Sequence, residues 1–194
     1  MTRAILTFVA FLAIQFVGAN VVHGRGKLAE LAVYATASLA LVVATFVTRG
    51  VRRAIGPWTP RFALFAIPIG VGIGAFAITY ARLAKPFGIE MNTANDLPLA
   101  VGFLAYVVVA PISEELFFRG WIQPVIAEET SQSFARLAPV VTAILFMLVH
   151  EPASYAPSLL VGLAAGLLRR RTHSVIPGII VHALSNALIL FYFR

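Results

Sequence analysis

Seven apolar stretches, at roughly residues 4–21, 28–48, 62–80, 97–126, 136–150, 154–168 and 174–193, constrain this chain more than any other feature. A helix needs about 20 apolar residues to cross the ~30 Å hydrocarbon core of a bilayer, and most of the seven approach or exceed that length. With no water to bond the backbone there, continuous apolar runs of this kind are satisfied as helices. The fourth stretch is over-long and interrupted by Pro111, while the fifth and sixth are short for a full crossing. The expected fold is all-α: a polytopic transmembrane helix bundle of about seven spans, one membrane domain over residues 1–194. The first stretch also has a signal-peptide reading, with Arg3 as its n-region and "VGAN" as a small-residue cleavage site. Its apolar run is long for an h-region, which favours a retained helix; cleavage would leave six spans.

Composition supports the bilayer as solvent. Of 194 residues, 60% are hydrophobic and 12% charged, against about 45–50% and about 25% in soluble domains. The formal charge of +7 is gathered in short clusters between the apolar runs. There it sets topology and meets lipid headgroups, so the expected partner is the bilayer and not nucleic acid. Alternate loops divide the positive residues into about nine (Arg3, Arg49, Arg52, Arg53, Arg61, Arg136 and Arg169 to Arg171) and about five (Arg25, Lys27, Arg82, Lys85, Arg194), which predicts a cytoplasmic N-terminus. Cysteine is absent, which removes disulfides, thiolate metal sites and thiol proteases. Gly70 with Gly74, and Gly162 with Gly166, have the four-residue spacing of closely packed helices. "GVGIG" lacks the order of a nucleotide-binding loop, and no strand precedes it.

Against that background "PISEELFFRGW" (111–121) places Glu114, Glu115 and Arg119 inside an apolar run. Each charge at the centre of a span opposes insertion by about 2.5–3.5 kcal/mol, so something must compensate. Glu115 and Arg119 are four apart and share a helix face, where a charge-assisted pair offsets much of both costs. Glu114 is turned about 100° away. Glu115 therefore reads as structural and Glu114 as the candidate base. His150 closes the fifth stretch, and His182 and Asn186 share one face of the last. Counted from one end of their helices, Glu114, His150 and His182 lie roughly 18, 21 and 12 Å deep, compatible with one cavity.

Each residue has a plainer reading. A single membrane histidine or Asn186 can be interhelical glue, and Arg119 can snorkel to the headgroups. Ser113 reads as a local helix hydrogen bond, and His23 and His173 as solvated loop residues. Pro111 removes the backbone bond to Val107, which predicts a kink and a freed carbonyl one turn before the glutamates. Four polar residues at matching depth favour a shared site over separate coincidences.

Elimination narrows the chemistry. One aspartate, Asp96, rules out an aspartyl dyad. "HEPAS" puts Ser154 where a helical zinc motif needs its second histidine, and Pro152 breaks the helix. A glutamate-activated water remains, with or without a metal. "EELFFRG", "FMLVH" and "HALSN" resemble, in order and spacing, the motifs of the CAAX prenyl protease and bacteriocin-processing family of intramembrane endopeptidases. The resemblance covers roughly residues 100–193, a family-like catalytic core; the first 95 residues show only spans. It implies that Glu114 activates water, that His150 binds or orients it, and that His182 and Asn186 stabilise the oxyanion. Glu115 and Arg119 would brace the helix, and Phe146 would pack against His150. His173 departs from the pattern, since the family often has glycine after the threonine.

Glu114, His150 and His182 are the candidate metal ligands, and an open zinc site and a metal-free arrangement both fit this set. The implied activity is hydrolysis of a membrane-associated or prenylated peptide in a bacterial plasma membrane. A non-catalytic immunity or scaffold protein is the alternative, and a proton-coupled transporter a further one, without the inverted repeat that would support it.

Overall fold

A computed structural model describes residues 27–58, 60–90 and 97–194, and the regular structure among them is entirely helical. The first apolar stretch with its signal-peptide alternative, His23 and Asp96 lie outside the described residues. In chain order the helices are α1 (Lys27–Arg49), α2 (Val51–Ile55), α3 (Pro60–Ala84), α4 (Leu99–Glu129), α5 (Gln132–Ala135), α6 (Ala138–Leu148), α7 (Tyr155–Thr172) and α8 (Ile176–Tyr192). Each of the six later apolar stretches falls on a helix. Leu31–Arg49, Pro60–Phe87 and Leu99–Glu129 are long and apolar enough to cross a membrane. α6 has 11 residues, about 16 Å, so the fifth stretch reaches only halfway through a hydrocarbon core. Pro152 stops it as expected, through a short 3₁₀ turn at Pro152–Ser154 that leads into α7. Leu39, Val47, Leu64 and Phe65 turn outward, a surface suited to lipid and unsuited to water.

α4 changes register twice along its length. Phe103–Val109 and Phe118–Ile122 are π-helical, and Ala110–Phe117 between them is α-helical. The first π segment ends with the Ala110 N–H bonded to the Ala105 carbonyl. The next donor in that i→i+5 register is Pro111, which has no N–H to offer Tyr106. Asn186 on α8 supplies it, Nδ2 donating to the Tyr106 carbonyl at 2.8 Å. The α-helical expectation placed the freed carbonyl at Val107; the wider register puts the carbonyl that α8 satisfies one residue earlier.

α8 lies along α3, and the small-residue pattern shows why. A Cβ on Gly70 would sit 2.8 Å from the Val181 carbonyl oxygen, and one on Gly74 would sit 2.8 Å from Leu188 Cδ1, whereas one on Gly72 would meet nothing within 4 Å. Gly166 likewise admits Pro139, and Gly162 admits Ala143. The glycines pack helices, as their spacing predicts. An aromatic core fills the centre, with Phe117, Phe118, Trp121 and Phe146 in edge-to-face contacts at 5.1 to 5.8 Å.

At one end of the bundle, the turn after α7 locks against the link after α2. Val175 N–H donates to the Ile55 carbonyl at 2.9 Å, and Gly56 takes φ +80° where a Cβ would collide with the His173 carbonyl oxygen. His173 itself is left-handed, φ 57°, with its N–H on the Arg169 carbonyl. The position is one that glycine fills without strain, so the family's preference has a backbone cause, and histidine keeps the same turn at an energetic cost. Its side chain is exposed, as expected.

The two glycine faces give a paired test. Gly70→Val should destabilise the protein by about 1–3 kcal/mol through overpacking, and Gly72→Val should leave it unchanged, read from unfolding midpoints in mixed detergent.

Candidate active site

Glu115 is the most deeply placed charge: its side chain and that of Arg119 are both 0% exposed. Helical spacing brings Arg119 Nε to 3.2 Å from Glu115 Oε2. The guanidinium continues to α7, Nη2 donating to the Gly162 carbonyl at 3.0 Å, and its Cζ lies 4.6 Å from the Phe146 ring centroid. Full burial excludes snorkelling for this arginine. The other carboxylate oxygen, Oε1, is 3.3 Å from His182 Nδ1 on α8. Gly178, one turn earlier on α8, makes room, since a Cβ there would lie 3.0 Å from Glu115 Oε2. Glu115 therefore does more than brace α4: it also fixes the ring of His182.

The opposite nitrogen of that ring faces Glu114. His182 Nε2 is 3.9 Å from Glu114 Oε2, and His150 Nε2, at the end of α6, is 4.0 Å from the same oxygen. His150 Nδ1 is 2.7 Å from the Phe146 carbonyl, so this nitrogen is the one that carries the proton. By the same logic, the carboxylate at His182 Nδ1 assigns the proton there when the ring is neutral. Both Nε2 lone pairs then converge on Glu114 Oε2, a buried oxygen with no hydrogen-bond partner among the described residues. Its companion Oε1 accepts a hydrogen bond from the Tyr34 hydroxyl on α1 at 2.7 Å. Glu114 and His150 keep 16% and 26% side-chain exposure, so the centre can be reached from outside the bundle.

Phe146 joins these parts. Its ring is 4.6 Å from His150, as the one-turn spacing predicts, and 5.4 Å edge-to-face from His182. Asn186, one turn beyond His182, spends one amide hydrogen on Tyr106 and keeps a second. Ser113 makes the local bonds expected of it, to the carbonyls of Val109 at 2.8 Å and Ala110 at 3.1 Å.

A zinc ion would need Glu114, His150 and His182 closer together. Two ligands of a tetrahedral zinc stand about 3.3–3.4 Å apart, and here the oxygen lies 3.9 and 4.0 Å from the two nitrogens. No group of three or more His, Cys, Asp or Glu side chains among the described residues is arranged to hold a metal ion. The set does not fit that ion as it stands.

Residues 96–188 match the family model described as type II CAAX prenyl endopeptidase Rce1-like. This segment is an Rce1-like domain. The match covers just under half of the chain and agrees with the motifs in pointing to CAAX-type intramembrane proteases. No curated protein and no solved structure matches the chain. The Rce1-like segment contains Glu114, Glu115, Arg119, Phe146, His150, His182 and Asn186, but α1 and α3 lie outside it.

Six of the residues singled out from sequence, Glu114, Glu115, Arg119, Phe146, His150 and His182, are joined by these contacts, and Asn186, one turn from His182, is tied to the Tyr106 carbonyl. Sequence reasoning missed Tyr34, Gly178 and the Tyr106 carbonyl. Tyr34 carried a readable signal, a phenol deep in an otherwise apolar span; the other two depend on packing and register.

Arg119→Ala leaves Glu115 buried without its cation and should destabilise the fold by about 3–5 kcal/mol. Arg119→Lys should recover only a minor part, lacking the planar fork that reaches Glu115 and Gly162 together. Denaturation of the purified protein in detergent checks both.

Proposed function

We propose that the chain is an intramembrane endopeptidase that hydrolyses a peptide bond of a membrane-associated substrate with water activated by Glu114. The observation that carries this reading is the convergence of Glu114 Oε2 with two Nε2 atoms at 3.9 and 4.0 Å. Three acceptors around one point suit a molecule that donates two hydrogens. A water about 2.8 Å from each of two such acceptors subtends about 90° between them, close to its own bond angle. Its hydrogens then lie on Glu114 Oε2 and His150 Nε2, and a lone pair is left for attack.

In the reaction the water oxygen bonds to the scissile carbonyl carbon, and Glu114 Oε2 takes its proton. The carbonyl π electrons move to oxygen. Asn186 donates its second amide hydrogen to that oxyanion, and His182 can donate to it from Nε2 only when that nitrogen carries a proton. Glu114 then passes its proton to the leaving nitrogen as the C–N bond breaks, releasing an acid and an amine. Tyr34 positions the base: by occupying Oε1 it leaves Oε2 as the oxygen that receives the proton. A prenylated C-terminus is the substrate class that the family suggests. The arginine distribution favours a cytoplasmic N-terminus, in a bacterial plasma membrane.

Glu114→Gln keeps the shape and removes the base. It should lower cleavage of membrane-tethered peptides at least 10²-fold with unchanged unfolding behaviour; full activity in that variant would instead mark a non-catalytic protein. Tyr34→Phe should lower kcat about tenfold with little change in KM, measured on the same peptides, and a chelator should leave wild-type turnover intact.

A further inference from the structure

A cleft of about 870 Å³ opens away from the glutamate–histidine cluster, where α2 meets the ends of α1, α4 and α7. Arg49, Arg52, Arg53, Arg136, Arg169 and Arg170 line it against a single carboxylate, Glu128, an excess of five positive charges. Glu128 is already committed to Arg49, through hydrogen bonds of 2.6 and 2.7 Å. Arg169 is committed to the backbone carbonyls of Arg53 and His173. Arg170 Nη1 donates to the Arg136 carbonyl at 3.1 Å. The guanidinium groups of Arg52, Arg53 and Arg136 are exposed, and the one carboxylate near them, Glu128, is hydrogen-bonded to Arg49 while it also feels the charge of Arg53. Gathered in one concave surface they repel one another and focus a field that favours an anion.

Two further observations say which kind. Gln123 lines the cleft at 5% exposure; its Nε2 is bonded to the Gly166 carbonyl at 2.9 Å, and its Oε1 has no partner. That oxygen is buried, so it lends the floor beneath the arginines a polar character. The rim is apolar: Trp58, next to the lining residue Pro57, is 60% exposed, and Phe134 and Leu137 flank the lining residues Ala135 and Arg136 and are also exposed. A small soluble anion makes no use of such a rim, whereas a lipid brings phosphate and acyl chains together. We propose that this cleft binds the headgroup of an anionic glycerophospholipid, with its phosphate among Arg52, Arg53 and Arg136 and its acyl chains beside Trp58. The site is independent of the hydrolytic reading.

Trp58 makes the test direct. The full chain is reconstituted in phosphatidylcholine vesicles with increasing fractions of brominated phosphatidylglycerol, or of brominated phosphatidylcholine as the reference. Quenching attributable to Trp58 is obtained by subtracting the signal of Trp58→Phe. Phosphatidylglycerol should be preferred at least tenfold, and the Arg52→Gln/Arg53→Gln/Arg136→Gln variant should lose that preference, at about fivefold per arginine. If the triple variant does not fold, Arg136→Gln alone should show a loss of about fivefold. Equal quenching by the two lipids, or a preference untouched by the substitutions, overturns the proposal. Displacement of the lipid by millimolar inorganic phosphate at matched ionic strength also overturns it and assigns the cleft to a soluble phosphate.

Discussion

One buried carboxylate organises the centre of this bundle. Glu115 sits in an apolar interior where an unpaired charge is untenable, and each of its two oxygens is matched by a nitrogen, from Arg119 on its own helix and from His182 on α8. Those two partners impose the rest. Arg119, reaching Glu115, also lies over the face of Phe146 and bonds to α7, and Gly178 leaves room for the carboxylate beside α8, where His182 meets it. Three helices are thereby oriented about one acid. The neighbouring glutamate, 100° round the same helix, is then presented to the remaining ring nitrogen of His182.

The irregular backbone of α4 belongs to the same design. The roughly two α-helical turns that bear both glutamates are held between two π-helical segments, and π segments often mark functional sites. In the first of them Pro111 denies Tyr106 its backbone donor, and Asn186 takes the donor's place. This bond fixes the amide that would face an oxyanion, so a backbone defect in one helix orients a side chain on another.

Much of this was legible in the chain itself. Glutamate, arginine and histidine within apolar runs are costly enough that their presence alone demands partners, and i,i+4 spacing correctly paired Glu115 with Arg119. The glycine pairs were read correctly for the same reason: small residues at that spacing have few other uses in a span. What could not be read depends on distances between helices. Gly178 resembles any other helical glycine until Glu115 is seen beside it, and the shift from Val107 to Tyr106 follows from a register that periodicity does not encode. Glu115 was assigned one partner because helical spacing displays neighbours on the same helix and hides those on the next. Tyr34 fell outside every family motif, in a helix that composition describes only as a span.

The ladder between α4 and α7 bears on how a long substrate could reach the cluster. Arg119 grips the carbonyl of Gly162, and Gln123, one turn along, grips that of Gly166, with α6 pressed against the same two glycines. Helices stapled at two levels cannot slide or splay without breaking both bonds, so this side of the bundle behaves as an anvil. α1 is joined to α4 at two levels as well, by Tyr34 on Glu114 and by Arg49 on Glu128. A peptide reaching Glu114 would therefore meet a fixed wall on the α7 side, with Tyr34 still holding Oε1 of the base.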